Sequence, residues 1–179
     1  MRIIGGEARG RTLVAPPGQA TRPTQDYVRE SLFNILAPRV EGARILDLFA
    51  GTGALALEAL SRGAAEAVLC DRDRAALSAI QKNVEAVRCA DRVRVFAGDY
   101  AACLRACPGP YDLIFLDPPY ARDAAPVLAQ IVTGGLLASG GRIVVEHRRG
   151  AQPEILPPLV LADQRRYGDT EISFLKRGD

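Results

Sequence analysis

Residues 113–120, LIFLDPPY, join an apolar segment to Asp117, Pro118, Pro119 and Tyr120. Two prolines make a rigid turn that has no N–H donors of its own and presents carbonyl oxygens that can accept hydrogen bonds. An acid, a rigid acceptor and an aromatic face together suit a planar ring that carries an amino group. Acceptors on the amino hydrogens stabilise the positive charge that develops when such a nitrogen attacks an electrophile. A plain turn would explain the prolines, but it would explain neither the acid nor the ring.

A second set of candidate residues follows the apolar segment that begins at residue 43. Gly51 and Gly53 match a G-x-G-x-x-A pattern, and Asp71 comes twenty residues after Gly51. Glycines at such a turn let the backbone approach a ligand closely, and an acid at that distance accepts hydrogen bonds from ribose hydroxyls. The pattern predicts a site for a cofactor that contains adenosine.

Two further acids favour S-adenosylmethionine over NAD as that cofactor. Asp47 lies four residues before Gly51, where a carboxylate would repel a pyrophosphate but suit a sulfonium and an amino group. Asp99 could accept a hydrogen bond from the adenine amine, although it could equally cap the next helix. A chain of 179 residues also leaves little room for the substrate domain of a dehydrogenase. An NAD-dependent oxidoreductase stays open as an alternative.

The positioning elements are expected to alternate between strand and helix. Apolar patterns predict strands at 43–50, 65–71, 92–99, 111–117 and 141–147, with helices at 53–63, 72–88, 100–107 and 123–137. Such alternation predicts an α/β, doubly wound, Rossmann-like fold with a mostly parallel sheet, which binds ligands beyond the carboxyl ends of its strands. Two closing segments joined by GDT predict an antiparallel hairpin, which brings the sheet to seven strands.

The chain is expected to form a single domain, residues 1–179. Its catalytic core would span 41–179, and an N-terminal extension, 1–40, would contain a small β-hairpin and an amphipathic helix. The first 44 residues carry a net charge of +3 and the remainder −1, which suggests that the extension contacts a polyanion; a solvated basic face is the alternative.

Composition narrows the class of protein. With 48% hydrophobic residues, the chain can bury a core, yet no apolar run approaches the roughly 20 residues of a membrane span. The N-terminus lacks the apolar region of a secretory signal, so we expect a cytoplasmic protein with no membrane contact. Four cysteines without a CxxC pair and a single histidine predict reduced thiols and no metal site.

The motifs resemble those of class I S-adenosylmethionine-dependent methyltransferases. More closely, the chain resembles the bacterial family that methylates the 2-amino group of one guanine in 16S ribosomal RNA (RsmD type). The resemblance rests on GGEARGR, RPT, LDLFAGTGALALEALSRGA, DRD, DPPY and RRYGDTEISFLKR. The class is defined by the cofactor and DPPY motifs, and the first two segments narrow the resemblance to the family.

The resemblance implies a role for each candidate residue. S-adenosylmethionine would be held by Asp47, Gly51, Gly53, Asp71 and Asp99. The guanine would be held by Asp117, Pro118, Pro119 and Tyr120. Toward the RNA and the site entrance would lie Arg9, Arg11 and Arg22. The implied partner is 16S rRNA in small-subunit particles, together with bound ribosomal proteins.

The identity of the target base follows from donor and acceptor patterns. Guanine presents two adjacent donors, its ring N–H and its amino group, and one carboxylate can accept from both. Asp117 therefore favours guanine over adenine or cytosine. An amino-methyltransferase acting on another RNA or on DNA remains an alternative, although no separate target-recognition domain is evident. A non-catalytic RNA-binding module is a third possibility.

Overall fold

The computed structural model describes residues 1–18, 23–119 and 124–179, and the side chains of residues 23 and 24 lie outside that description. Within these residues the strands are β1 (Arg44–Asp47), β2 (Glu66–Asp71), β3 (Val93–Ala97), β4 (Tyr111–Leu116), β5 (Leu137–Arg148), β6 (Leu159–Tyr167) and β7 (Thr170–Arg177). The α-helices are α1 (Pro23–Leu36), α2 (Ala54–Ser61), α3 (Arg74–Val87), α4 (Tyr100–Ala106) and α5 (Ala125–Thr133). Every helix in this part of the chain is too short or too polar to cross a lipid bilayer.

The seven strands form one sheet in the order β3-β2-β1-β4-β5-β7-β6. The pairs among β1 to β5 are parallel, whereas β7 is antiparallel to both of its neighbours. The predicted sheet with an antiparallel C-terminal hairpin is therefore confirmed. The direction of winding reverses between β1 and β4. Leu46 of β1 is paired in register with Val68 of β2 on one side and with Ile114 of β4 on the other. A reversal of this kind opens a crevice beyond the carboxyl ends of the strands.

Helices cover both faces of the sheet. One hydrophobic cluster joins α1, α2, α3 and the N-terminal segment to the first face, and a second cluster joins α4 and α5 to the other. Phe33 of α1 packs against Phe115 of β4, with ring centroids 6.0 Å apart. The first face is therefore the one on which the N-terminal extension and the longest helices meet the sheet.

The predicted N-terminal hairpin is reduced to a single antiparallel bridge between Arg2 and Thr12. Its backbone docks on α2 through Glu58, whose buried carboxylate accepts hydrogen bonds from the N–H groups of Ile4 and Gly5 at 2.9 and 2.8 Å. A fully buried carboxylate is stable only when it is paired and hydrogen-bonded. The extension is consequently built into the same core as the sheet.

Several predicted boundaries differ from the structure, and the largest differences lie between α5 and β5. The helix expected over 123–137 ends at Thr133, and β5 already begins at Leu137. Gly134 and Gly135 separate the two elements, and Gly135 adopts a φ of +63°, which stops a helix. From Leu137 onward the chain belongs to the strand.

Candidate active site

Four carboxylates stand side by side at the carboxyl edge of the sheet. Asp71 ends β2, Asp47 ends β1, Asp117 follows β4, and Glu146 lies near the end of β5. The residue two positions before each acid belongs to the hydrophobic cluster beneath α1, α2 and α3. Because strand side chains alternate between faces, the pleat places all four acids on that same face. We call this set the carboxylate row.

Asp47 is the most deeply buried member of the row, with 1% of its surface exposed. Its Oδ1 atom has no hydrogen-bond partner among the described residues. The pKa of Asp47 is raised to about 7, chiefly because the carboxyl group is buried. The hydrogen bond from the Phe49 N–H lowers this pKa, and the like charge of Asp71 raises it. A buried carboxylate with an unsatisfied oxygen fits a ligand that brings a cation or an N–H donor.

The glycine loop after β1 has one open side and one packed side. Gly51 has φ +58°, and a Cβ atom there would meet nothing within 4 Å. Gly53 has φ +78°, and a Cβ atom there would come within 2.9 Å of Leu69 Cδ2. Gly51 therefore leaves room for a ligand, whereas Gly53 lets α2 pack against β2.

Asp71 supports this loop. Its Oδ2 atom accepts a hydrogen bond from the Gly51 N–H at 2.8 Å, and its Oδ1 atom accepts one from the Asp73 N–H at 2.9 Å. Each carboxylate oxygen can accept a second hydrogen bond. The predicted role toward a ribose is compatible with these contacts, but the loop itself already depends on Asp71.

Asp99 caps α4, because its Oδ1 atom accepts a hydrogen bond from the Ala102 N–H at 2.8 Å. The capping alternative considered for this acid is thus present in the structure, and its predicted contact with adenine remains a prediction. The ring of Tyr100, the next residue, packs 5.9 Å from the ring of Phe49. These two rings give the loop an apolar wall near Asp99.

Asp117 and Glu146 are neighbours across two parallel strands. Leu116 pairs with Val145, so the two acids occupy the next positions on strands about 4.8 Å apart. Desolvation by the surrounding protein raises the pKa of Asp117, and the like charges of Glu146 and Asp47 raise it further. Burial also raises the pKa of Glu146. Asp117 still presents surface to solvent, so an entering base can reach its carboxyl group.

Glu146 is the member of the carboxylate row that the sequence did not indicate in advance. It lies one position before His147, the single histidine of the chain. The His147 ring is buried on the other face of the sheet, where Nδ1–H donates to the Arg148 carbonyl at 2.9 Å and Nε2 lies 2.8 Å from Ser173 Oγ. The histidine thus serves the packing of β5 on β7. The signal for Glu146 was its place on the strand next to the DPPY segment.

The remaining predicted base-binding residues are only partly described. Pro118 is buried and Pro119 is exposed, and both lie in irregular chain after β4. Tyr120 and Arg22 lie outside the described residues. Their predicted contacts with guanine and RNA stay predictions.

Arg9 and Arg11 lie at the opposite edge of the molecule. The Glu7 N–H donates to the Ser61 carbonyl at the end of α2, and Arg11 Nη1 donates to the Ala86 carbonyl near the end of α3 at 2.6 Å. Both helices begin at the carboxylate edge, and an eight-residue helix spans about 12 Å. These two arginines therefore lie near the ends of α2 and α3, away from the carboxylate row, and their predicted place toward the site entrance stays a prediction. Their contact with RNA remains a prediction.

Asn83 connects the N-terminal extension to the glycine loop. Its buried side chain accepts a hydrogen bond from the Val14 N–H at 2.7 Å and donates to the carbonyls of Val14 and Thr52 at 2.9 and 2.8 Å. The sequence reasoning did not select this residue. A polar side chain between the apolar positions 80 and 84 of a helix was the available signal.

A pocket of about 200 Å³ lies away from the carboxylate row, at the edge where the strands begin. It is lined by Arg39, Glu41, Asp112 and Ser139, among others. Ligands of parallel α/β sheets bind at the carboxyl ends of the strands. The buried acid and the open glycine loop there, rather than this pocket, mark the candidate active site.

Comparison with known proteins agrees with this geometry. The model of a family described as conserved hypothetical protein 95 matches residues 1–176. The chain is 37% identical over 182 residues to the "Putative rRNA methyltransferase YlbH" of Bacillus subtilis strain 168, covering 99% of each protein. It is 43% identical over 147 residues to the "Ribosomal RNA small subunit methyltransferase D" of Escherichia coli K12, covering 82% of this chain and 74% of that protein.

A solved structure extends the similarity to three dimensions. The "Putative methyltransferase yhhF" of Escherichia coli superposes with a TM-score of 0.87 at 38% identity, covering 99% of this chain and 97% of that one. This chain therefore has the fold of a protein that is named as a putative methyltransferase.

Proposed function

Because the chain belongs to the family of conserved hypothetical protein 95, we propose that it transfers a methyl group to the 2-amino group of one guanine in 16S rRNA of the small ribosomal subunit. Its relatives are named as ribosomal RNA methyltransferases, one of them specifically for the small subunit. The type of reaction follows the family. The choice of guanine and of its 2-amino group is supported by the residues at the end of β4.

The residues around the glycine loop fit S-adenosylmethionine as the cofactor. The unsatisfied, buried Oδ1 atom of Asp47 suits the positive charge and the amino hydrogens of this cofactor. The open side of Gly51 leaves space for the part of the cofactor that lies against the backbone of the glycine loop. Asp71 and Asp99 supply acceptors for the ribose and the adenine. When bound, S-adenosylmethionine provides a methyl group made electrophilic by a positively charged sulfur.

The carboxylate row also explains why a pyrophosphate cofactor is disfavoured. Asp47, Asp71, Asp117 and Glu146 bring four acids to one edge. Charges of equal sign repel most strongly where water is excluded, as it is around Asp47. This electrostatic environment supports the methyltransferase proposal over an NAD-dependent oxidoreductase.

Asp117 would act on the target base directly. As a carboxylate it accepts hydrogen bonds from the ring N–H and the 2-amino group of guanine, which an amide could not both do. By holding an amino hydrogen, it stabilises the positive charge that develops on the nitrogen. The Pro118 carbonyl offers a second acceptor, and Tyr120 would stack on the ring.

The observation that carries the proposal is the adjacency of Asp117 to the glycine loop across β4 and β1. Phe115, two residues before Asp117, pairs with Asp47 at the end of β1. The base site and the cofactor site therefore share one edge of the sheet. In such an arrangement the reacting atoms meet without a change of fold, and positioning alone contributes much of the rate.

The arginines of the extension would contribute less to this site than Asp117. Arg9 is exposed and is available to a phosphate far from the target base. Arg11 is already engaged with the Ala86 carbonyl, and for Arg22 the proposed role is the contact with RNA that the family resemblance implies. Ribosomal proteins bound to the subunit are proposed as further partners.

Replacing Asp117 by alanine tests the proposal. We expect Asp117→Ala to keep the affinity for S-adenosylmethionine within about threefold, while methyl transfer to small subunits falls by about 100-fold or more, the scale of a lost charge-stabilising contact. Transfer is measured with labelled cofactor, small subunits lacking the modification, and nuclease mapping of the product. Asp91→Asn, a change at an exposed acid remote from the row, is the control. Wild-type rates in Asp117→Ala, or a label on another base, would contradict the assignment.

A further inference from the structure

Arginines and tyrosines flank the carboxylate edge on its β5 side. Strands β5 and β6 run in the same direction, since each is antiparallel to β7. Their last residues therefore lie at the edge that carries Asp117 and Glu146. We call the arginine–tyrosine surface the set formed by Tyr27 of α1, Arg148 and Arg149 at the end of β5, and Tyr167 at the end of β6.

Tyr27 offers an aromatic face at this surface. Its residue is 65% exposed, and its ring meets that of Tyr167 edge-on, with centroids 6.4 Å apart and an interplanar angle of 78°. The Tyr167 hydroxyl is hydrogen-bonded to Ser31 Oγ at 2.7 Å, which fixes the supporting ring against α1. An anchored aromatic ring that remains largely exposed can stack with an unpaired base.

The arginines supply positive charge next to this ring. Arg148 and Arg149 are exposed, and neither forms an ion pair with any described residue. Arg166 is paired with Glu171 at 2.7 Å and lies on the opposite face of β6 from Tyr167, so it is not part of this surface. Asp169 in the β6–β7 turn offsets part of the charge. Two unpaired guanidinium groups remain for phosphate oxygens.

Negative and positive side chains lie next to each other along this edge, as a base and its neighbouring phosphates do along a nucleic acid strand. Arg148 follows Glu146 by two residues on the same face of β5, about 7 Å along the strand. The acids would repel a phosphate but accept a base amine, whereas the adjacent guanidinium groups would hold the backbone. The extension arginines Arg9 and Arg11, by contrast, lie at the opposite edge.

We propose that the arginine–tyrosine surface binds the single-stranded segment of 16S rRNA that flanks the target guanine. Tyr27 stacks on a neighbouring base, and Arg148 and Arg149 contact the adjoining phosphates. The inference rests on the proposed function, because it takes the reactive base to be a guanine of that RNA.

The test compares variants of this surface in the binding of a protein-free 16S rRNA transcript, measured by filter retention between about 50 and about 200 mM KCl. We expect the double variant Arg148→Ala/Arg149→Ala to weaken binding about tenfold or more and to lower the salt slope by about 1 to 2. Tyr27→Ala should weaken binding about fivefold or more, and Tyr27→Phe should restore it, since the ring is what stacks. Arg105→Ala, at an exposed arginine in the last turn of α4, should change it less than twofold.

Two further readings make the outcome decisive. All variants should keep the wild-type melting temperature, since the changed residues are exposed. They should also keep the wild-type affinity for S-adenosylmethionine, since none of these residues belongs to the cofactor site. Unchanged RNA affinity and salt slope in the surface variants would overturn the inference. So would a loss seen only with subunits that contain ribosomal proteins, because the surface would then contact protein. Failure of the proposed function is read separately, as absence of methyl transfer by the wild-type enzyme.

Discussion

A substitution at Asp47 is expected to change protein stability and cofactor affinity in opposite directions. The carboxyl group is buried, one oxygen lacks a partner among the described residues, and the pKa is raised from 3.8 to about 7. Asparagine has nearly the same shape, keeps an oxygen for the Phe49 N–H and carries no charge. Asp47→Asn should therefore stabilise the ligand-free protein and weaken its binding to S-adenosylmethionine.

The size and pH window of the stability change follow from proton linkage. An acid whose folded pKa lies above its unfolded pKa binds more protons in the folded state, so stability is lost as the pH rises between the two values. From 3.8 to about 7, at about 1.4 kcal/mol for each pKa unit, the ionised group costs the folded protein up to about 4 kcal/mol. The free energy of unfolding of Asp47→Asn should exceed that of wild type by up to that amount at pH 8 and by little at pH 4.

Urea unfolding followed by far-UV circular dichroism measures this difference, since the chain contains no tryptophan for fluorescence. Calorimetric titration should show at least about tenfold weaker binding of S-adenosylmethionine, because the neutral amide cannot pair with its positive charge. Asp91→Asn should change stability by less than about 0.5 kcal/mol at either pH. A variant no more stable than wild type at pH 8, or equally stabilised at pH 4 and pH 8, would refute the reasoning.

Three further predictions concern residues around the row. Glu146→Gln should move the acidic limb of the methyl-transfer pH profile to lower pH, because removing a like charge lowers the pKa of Asp117; an unmoved limb contradicts this. Asn83→Ala should lower the free energy of unfolding, measured in urea, by about 1 to 3 kcal/mol, because buried partners of the amide lose their hydrogen bonds; a change below about 0.5 kcal/mol would exclude that role. Arg11→Glu should lower the melting temperature, since it breaks the bond to a helix carbonyl, whereas Arg9→Glu should leave it within about 2 °C. Equal losses in these two variants would show that the contact is not what matters.

The local pattern of the sequence was enough to predict the strands, the helices and the types of side chain at the ends of the strands. The alternation of apolar segments predicted β1 to β5 and their helices, because burial on both faces of a parallel sheet demands continuous apolar strands. The glycine loop and the acids at 47, 71 and 117 could be identified because each is covalently next to a strand. The boundary between α5 and β5 was missed, since an apolar run does not by itself distinguish the end of a helix from the start of a strand.

Through-space neighbours were decided only by the tertiary structure. Strand order brings Asp117 next to Glu146, although 28 sequence positions separate them. Asn83 reaches Val14 and Thr52 only after the extension folds onto α3, and the same packing carries Arg9 and Arg11 to the far edge. Burial, pKa and the charge of a surface depend on which groups surround a residue in space. The amino-acid sequence therefore determined which chemical groups the site contains, and the fold determined which of them act together.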